Sequence, residues 1–147
     1  MTDAELLPYI TQRHVVAGTL WAEARSEPIE GRIAVGNVIR TRARVRRQTV
    51  RQVCLAPAQF SCWRAEGGRA NHEALMALLR ALPAIADPLF RECLWIADGL
   101  STGVLLDNVH GADHYLTTQL YDSDPPAWAH PMPVVCVIGR HTFLRST

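Results

Sequence analysis

The chain has no lysine, since all fifteen of its basic residues are arginine. It also has no internal repeat, no low-complexity tract and no apolar run that approaches the ~20 residues of a membrane-spanning helix. We therefore expect no stable membrane insertion. Residues 1–5 lack the basic region and the apolar segment of a secretory signal, so we expect synthesis in the cytoplasm and export by another route.

The cysteines contain no CxxC pair, which argues against a structural zinc site. They are Cys54, Cys62, Cys93 and Cys136. Cytoplasmic synthesis favours free thiols, although a disulfide formed after export stays open, with three pairings available to four cysteines. Cys136 lies in the apolar run 134–138, so we predict a small buried core residue there.

The composition is that of an ordinary globular protein, with 48% apolar and 20% charged residues among 147. This length fits one domain with a sizeable core, so we expect a single domain over residues 1–147. The net charge is +1 but is unevenly spread. Residues 1–80 hold twelve arginines against seven acidic residues, whereas residues 81–147 hold three against seven.

A cluster of arginines follows position 39. Its members are Arg40, Arg42, Arg44, Arg46, Arg47 and Arg51. Such a cluster can bind an anionic polymer such as nucleic acid, lipid headgroups or a wall polymer. It can equally be a solvated helix end, since arginine suits the last turn of a helix. Aromatic residues do not alternate with these arginines and no nucleic-acid motif appears, so we predict no nucleic-acid partner.

Apolar periodicity predicts two long helices in the first third of the chain. The first runs from Tyr9 or Thr11 to Ala24, and the second begins at Pro28, which suits a first helical turn, and ends near Val45. A short turn is expected over 49–54.

Two more helices are predicted from their end signals. Asn71 can cap a helix that runs to Leu82 and ends at Pro83. The pair Asp87-Pro88 opens another helix, which Gly99 would stop.

The last third of the chain has a different character. Turn-forming residues predict a long loop over 100–133, and such a loop in a compact domain is often functional. The run 134–138 predicts a buried strand, and 114–117 and 141–144 are weaker strand candidates. The predicted fold class is therefore α+β and mainly α, with a helical body and a small sheet.

Glu23 is predicted at the C-terminal end of the first long helix. That end carries partial negative charge, which disfavours an anion, and shielding from water would raise the pKa of the carboxyl group further. A carboxylic acid that is still protonated near neutral pH can break a sugar–oxygen bond as a general acid. A solvated glutamate between two helices is the alternative interpretation.

Three further clusters combine polar and aromatic residues. The segment 59–63, Gln-Phe-Ser-Cys-Trp, offers an amide, a hydroxyl and aromatic rings, a set that binds sugars but can also anchor a loop. The others are 111–115, Gly-Ala-Asp-His-Tyr, and 138–143, Ile-Gly-Arg-His-Thr-Phe. His110 and His114 could ligate a metal only from one helical face, and Gly111 argues against a helix, so we predict no metal site.

Taken in order, these motifs resemble a known family. Segments 23–28 and 30–39, the three clusters above and Trp128 are similar to the cell-wall hydrolase family of the spore-cortex-lytic enzymes of SleB type, which also includes phage endolysins. The resemblance spans roughly residues 15–145. It implies a lysozyme-like, lytic-transglycosylase-like helical body with a small antiparallel sheet, and a glutamate general acid that maps onto Glu23. Thr41 departs from the family's Asn-Arg pair, whereas Arg42 matches it.

The resemblance implies an enzyme that cleaves the β-1,4 bond between N-acetylmuramic acid and N-acetylglucosamine in peptidoglycan, without a cofactor or metal. We expect a monomer whose partner is the peptidoglycan glycan strand. Its phage members suggest an endolysin, made in the host cytoplasm without a signal peptide and released with the help of a holin. The substrate-binding residues it implies are Gln59, Ser61, Trp63, His114, Tyr115, Trp128 and His141.

Whether the enzyme is a hydrolase or a lytic transglycosylase depends on a second carboxylate, which most glycoside hydrolases need. Glu27 is expected to cap the second helix or to bind an arginine, and Asp107 and Asp113 belong to the distant loop region. We therefore favour a lytic transglycosylase that leaves 1,6-anhydromuramyl ends. A lysozyme-type muramidase and a non-catalytic polyanion-binding module are the alternatives.

Overall fold

A computed structural model describes residues 2–67, 69–82 and 85–146. The predicted helix end at Pro83 lies outside these residues. The α-helices are α1 (Asp3–Leu6), α2 (Gln12–Glu23), α3 (Ile29–Arg46), α4 (Val50–Leu55), α5 (Arg69–Leu79), α6 (Pro88–Thr102) and α7 (Thr118–Ser123). The strands are β1 (His114–Thr117), β2 (Val134–Ile138) and β3 (His141–Leu144), and short 3-10 turns cover Leu7–Tyr9, Ser61–Trp63 and Ala65–Gly67.

The strands form one antiparallel sheet in the order β1-β3-β2. The central strand β3 places Phe143 opposite Tyr115 on one side and opposite Cys136 on the other. The sheet packs against α3 through β1 and β2. A mainly helical body with a small antiparallel sheet is therefore confirmed, and all three strands lie where the sequence predicts them.

Helix α2 is the centre of the helical body. Thr11 caps its first turn by accepting the backbone N–H of His14, and every residue from Val15 to Trp21 is buried. It packs against α4, α5 and α6. Burial on all sides fixes the position of its last turn, which ends at Glu23, one residue before the predicted Ala24.

The ring of Trp63 reaches α2 because residue 18 is glycine. A Cβ atom at Gly18 would lie 3.2 Å from the Trp63 ring and 3.0 Å from Leu75 Cδ1. The indole N–H of Trp63 donates to Thr19 Oγ1 at 2.9 Å, and that hydroxyl donates to the carbonyl of Val15 at 2.7 Å. This bond joins the 3-10 turn Ser61–Trp63 to the middle of α2.

Two helix starts differ from the predictions. Residues 50–55 form α4 and not a turn, because Thr49 and Gln52 satisfy the first backbone N–H groups reciprocally in a capping box. Helix α5 begins at Arg69, so Asn71 lies inside it and does not cap it. The Asn71 amide instead donates to the Ala22 carbonyl at 3.3 Å.

The end of α6 also differs from the prediction. The helix continues through Gly99 to Thr102 and ends before Gly103, whose φ of 82° supplies the left-handed cap. The long loop predicted over 100–133 is interrupted by β1 and by α7, which Thr117 caps.

Strand β2 is not the buried strand that its apolar run predicts. Its exposed side chains include Val134 and Val137, which keep 45% and 56% of their surface, and Cys136 is only half-buried. The physical reason is its place at the edge of the sheet, where a neighbouring strand and α3 cover only part of it.

All four cysteines are free thiols. Burial raises the pKa of Cys54 to about 11 and that of Cys93 to about 12. Burial and the nearby Glu23 carboxylate also raise the pKa of Cys62. Within residues 2–67, 69–82 and 85–146, no helix is long and apolar enough to cross a membrane.

The turn between β2 and β3 holds a buried carboxylate. Gly139 has a φ of 58°, and a Cβ atom there would lie 2.7 Å from Glu27 Oε1. The same oxygen accepts the backbone N–H of Arg140 at 2.9 Å. Glu27 keeps only 6% of its surface, so this turn fastens the sheet to the start of α3.

We predict that Gly139→Ala destabilises the protein more than Gly103→Ala does. Both residues adopt positive φ, so alanine should cost about 1–2 kcal/mol of unfolding free energy at each from the backbone alone. Only at Gly139 does the new methyl group also meet a carboxylate oxygen, since nothing lies within 4 Å of it at Gly103. Denaturant unfolding of both variants measures the difference, and equal losses would contradict the Glu27 contact.

Candidate active site

The carboxyl group of Glu23 is held at the end of α2 in a partly dehydrated place. Its buried oxygen Oε1 has no hydrogen-bond partner among the described residues. Burial raises the pKa of Glu23, and the nearby thiol and amide of Cys62 oppose this rise only in part, since neither reaches hydrogen-bond geometry with Oε1. The group is therefore a better proton carrier near neutral pH than an exposed glutamate.

Glu23 lies where two surface hollows meet. The Arg25 hollow has a volume of 490 Å³ and is lined by Ala22, Glu23, Arg25, Ser26, Ala70 and Asn71. The Ser61 hollow has a volume of 290 Å³ and is lined by Glu23, Ala58, Gln59, Phe60, Ser61, Arg64 and Glu66.

A third hollow extends this depression toward the sheet. The Arg46 hollow has a volume of 370 Å³ and is lined by Arg42, Arg46, Ala58, Gln59, Phe60, His114, Tyr115 and Trp128. It shares Ala58, Gln59 and Phe60 with the Ser61 hollow. We call the three hollows together the groove, because each shares lining residues with a neighbouring hollow, and Glu23 lines two of them.

The wall of the Arg25 hollow is fixed by a small network. The Arg25 guanidinium lies over the Trp21 ring, 4.1 Å from its centroid, and donates to Asn71 Oδ1 at 2.8 Å. Asn71 in turn bonds the Ala22 carbonyl. These contacts join α5 to the last turn of α2 beside Glu23.

Gln59 is oriented by two arginines from α3. Its amide oxygen accepts Arg46 Nη1 at 3.0 Å and Arg42 Nη1 at 3.3 Å. The neighbouring Ala58 has a φ of 62°, so the backbone turns sharply just before Gln59. Since its oxygen is occupied, the amide NH2 group is the part of Gln59 left for a partner in the groove.

Tyr115 brings a hydroxyl group from β1 toward Glu23. Burial raises the pKa of Tyr115, and the negative charge of the Glu23 carboxylate raises it further. The ring meets His141 edge-on, with centroids 5.0 Å apart, and packs against the tilted ring of Phe143 at 5.7 Å. Tyr115 is therefore a fixed and protonated hydrogen-bond donor.

Trp128 and His114 form the aromatic end of the groove. Their ring centroids are 5.3 Å apart, and Trp128 keeps 43% of its surface. His114 Nδ1 lies 2.9 Å from Asp113 Oδ1, which fixes the imidazole. Asp113 also accepts the backbone N–H and the hydroxyl of Ser146.

Two of the sequence-predicted site residues lie elsewhere. Trp63 keeps only 7% of its surface and packs in the core against α2, so it is not part of the groove. His141 does not line the three hollows. It lies behind Tyr115, with Nδ1 2.9 Å from Glu27 Oε1, and burial lowers its pKa against the opposing effect of Glu27.

The sequence suggested that Glu27 caps α3 or binds an arginine. Its carboxylate does not cap α3 and pairs with no guanidinium of the described residues, whereas its backbone carbonyl accepts the Arg32 guanidinium. It accepts the Arg140 backbone N–H and faces His141. The Glu27–His141 contact is at ion-pair distance, but it lacks the alignment of a hydrogen bond. Glu27 therefore fastens the sheet to α3 from behind the groove.

The two expected candidates for a second carboxylate, Asp107 and Asp113, already accept hydrogen bonds from nearby groups of the protein. Asp107 accepts the N–H groups of Val109 and Gly111 at 2.9 and 2.7 Å, which closes a turn. Asp113 is committed to Ser146 and His114. Glu66, which sequence reasoning missed, lines the Ser61 hollow with Glu23 and is exposed. Its place three residues after the 59–63 motif was the only available signal.

Arg42 and Arg46 were also missed as groove residues, because the sequence shows only a cluster of arginines. Arg42 Nε donates to the Asp113 carbonyl at 2.7 Å, which joins α3 to β1. Among the described residues, no group of three or more His, Cys, Asp or Glu side chains could hold a metal ion.

The chain thus combines a helical body, a small antiparallel sheet and a half-buried glutamate in the groove beside them. The family model for cell wall hydrolases matches residues 26–144, and the chain belongs to that family. The matched range begins three residues after Glu23.

Two solved structures share this fold. One is the catalytic domain of the SleB protein of Bacillus cereus, with 21% identity, a TM-score of 0.62 and coverage of 91% of this chain and 89% of that one. The other is the catalytic domain of the germination-specific lytic transglycosylase SleB from Bacillus anthracis, with 20% identity, a TM-score of 0.63 and coverage of 91% and 93%. No curated protein matches the chain.

We predict that Glu23→Gln becomes more stable relative to the natural protein as the pH rises. The folded-state pKa of Glu23 is raised, so its contribution to stability is fully present below the unfolded pKa and is lost as the pH rises through the folded pKa. Glutamine cannot ionise and avoids this loss.

Denaturant unfolding of both proteins between about pH 4 and pH 8 measures the effect, because this range covers the titration of a raised glutamate. Glu73→Gln, at an exposed position of α5, controls for the loss of a negative charge. A stability difference that is constant over the range would contradict the burial of the Glu23 carboxyl group.

Proposed function

We propose that the protein cleaves the β-1,4 bond between N-acetylmuramic acid and N-acetylglucosamine in peptidoglycan, as a lytic transglycosylase with Glu23 as its acid. The observation that carries the proposal is the buried oxygen of Glu23, which has no hydrogen-bond partner among the described residues and belongs to a side chain that lines two surface hollows. Hollows on both sides of that carboxyl group give the glycan strand room on both sides of the cleaved bond. Membership of the cell wall hydrolase family supports the substrate class.

In the first step, protonated Glu23 gives its proton to the glycosidic oxygen, and the bond from C1 of the muramyl residue to that oxygen breaks. The N-acetyl group of the same sugar can stabilise the positive charge at C1 in place of an enzyme carboxylate. The freed N-acetylglucosamine end leaves with its new hydroxyl group.

In the second step, the Glu23 carboxylate takes the proton of the muramyl 6-hydroxyl, and O6 bonds to C1. A 1,6-anhydro ring forms and Glu23 returns to its protonated state. A raised pKa suits both steps, because the group must hold a proton before cleavage and accept one afterwards.

The groove residues have distinct proposed roles in holding the strand. The NH2 group of Gln59 and the hydroxyls of Ser61 and Tyr115 are placed to bond sugar oxygens on the Ser61 side of Glu23. Trp128 offers an exposed ring to the apolar face of a sugar. His141 supports Tyr115 from behind and is not proposed to touch the substrate.

A lysozyme-type muramidase is the second candidate, and Glu66 favours it. This carboxylate lines the same hollow as Glu23 and could activate a water molecule there. Its exposed position on the turn Ala65–Gly67 offers no fixed geometry for that role, so we rank it second. The endolysin role, release by a holin, the monomeric state and the absence of a cofactor stay predictions from the sequence.

We predict that Glu23→Gln loses wall-lytic activity by about 10²–10⁴-fold or more while the protein stays folded, because removing a general acid usually has an effect of this size. Turbidity loss of purified sacculi measures the rate, and circular dichroism checks the fold. Glu66→Gln is the matched control in the same hollow and should keep most of its activity. Full activity in Glu23→Gln would disprove the role of Glu23, and a loss of the same size in Glu66→Gln would favour the muramidase.

We predict that the products carry 1,6-anhydromuramyl ends. Hydrolysis adds a water molecule that anhydro products lack, so the two kinds of muropeptide differ by ~18 Da, as expected when the nucleophile is the 6-hydroxyl and not water. Mass spectrometry of digested sacculi distinguishes them. Reducing ends made wholly of hydrated muramic acid would overturn the transglycosylase and leave a muramidase with the same acid.

A further inference from the structure

We propose that the Arg46 hollow binds a carboxylate group carried by the muramyl residues of the glycan strand, through the guanidinium groups of Arg42 and Arg46. The inference rests on the proposed function, because it takes the strand to lie along the groove past Glu23. It assigns the protein a preference for carboxylate-bearing glycan over neutral glycan.

The geometry of the two arginines supports a shared ligand. They are four residues apart on α3, so their side chains leave the same face of the helix. Both reach the amide oxygen of Gln59, which brings the two positive charges together at one wall of the hollow.

These two positive charges are not neutralised by a direct partner. The acceptors of both guanidinium groups are the Gln59 amide and the Asp113 backbone carbonyl, which are neutral. No carboxylate of the described residues lies within ion-pair distance of either arginine. The Asp113 carboxylate acts on Arg42 only from beyond ion-pair distance, and its side chain is occupied by Ser146 and His114.

The other members of the arginine cluster differ in their surroundings. Arg40 donates to the Leu100 carbonyl, and Arg51 donates to the carbonyls of Leu7 and Ile10, so both hold elements together. Arg44 and Arg47 are exposed and do not line the hollow. The anion-binding potential of the cluster is therefore concentrated in Arg42 and Arg46.

The chemistry of the hollow selects the ligand. Guanidinium groups bind carboxylates through paired, charge-assisted hydrogen bonds. The exposed ring of Trp128 and the His114 ring beside it offer a flat surface for the group that carries the carboxylate. The hollow continues into the Ser61 hollow and so to Glu23, which places the anion on the same strand as the cleaved bond.

Two carboxylates on a muramyl residue fit this description. One belongs to the peptide stem, and the other is the lactyl carboxylate that is uncovered when the stem is removed. Both offer the same anion to the arginines, so the experiment separates them by the substrate used.

The test measures binding in the inactive Glu23→Gln background, so it does not depend on cleavage. Soluble glycan strands are prepared in two forms, one with intact peptide stems and one whose stems have been removed by an amidase. A portion of each form is then treated so that all its carboxylates become neutral amides. Fluorescence or calorimetric titration gives the dissociation constants. Arg46→Gln is compared with Arg44→Gln, an exposed arginine on the same helix, and thermal unfolding checks that all variants are folded.

We expect Arg46→Gln to weaken binding of carboxylate-bearing strands by roughly 10-fold more than binding of the amidated strands, the size of one charge-assisted hydrogen bond, because loss of the Gln59 contact affects both kinds of strand alike. Arg44→Gln should change neither. If Arg46→Gln weakens binding only of stem-bearing strands, the ligand is the stem carboxylate. If it weakens binding of stem-free strands, the ligand is the lactyl carboxylate. Equal losses on charged and amidated strands, or no loss on either, would overturn the proposal even if Glu23 is confirmed as the acid.

Discussion

The burial of one carboxyl group at the end of a central helix constrains the structure around the groove. Helix α2 is enclosed over Val15–Trp21, so its last turn cannot move toward water to hydrate Glu23. One oxygen of this carboxyl group has no partner among the residues that the structure describes. Such a group is costly to bury, and proteins keep costly polar groups mainly where chemistry needs them.

Supports from distant parts of the chain keep that group in place. Trp63 bonds Thr19 in the middle of α2 and holds the 3-10 turn that carries Cys62 beside the acid. On the opposite side, Glu27 fastens the β2–β3 turn, whose His141 holds Tyr115. Glu23, Gln59 and Tyr115 thus come from three separate regions of the chain, and buried contacts hold these regions together.

Local signals explain which parts of the structure the sequence could predict. The end of α2 and the start of α3 depend on neighbouring residues, and the predicted boundaries at Ala24 and Pro28 each lie within one residue of the observed ones. Trp63 was predicted to bind the substrate because it lies close to Gln59 and Ser61 in the chain. The order of residues in a motif does not show which aromatic side chain is buried in the core. The relative placement of the Arg25, Ser61 and Arg46 hollows depends on tertiary packing, which local sequence patterns do not reveal.

The buried thiols provide a built-in measure of how often the interior of the protein opens transiently. Thiols react with disulfide reagents as thiolates, and the raised pKa values and burial of Cys54, Cys62 and Cys93 keep them unreactive in the closed molecule. Their labelling rate therefore follows transient opening of the interior. Cys136, half-buried in the edge strand, provides a faster reference reaction in the same molecule. Because Cys62 adjoins Glu23, its labelling rate specifically records how often the surroundings of the acid open to solvent.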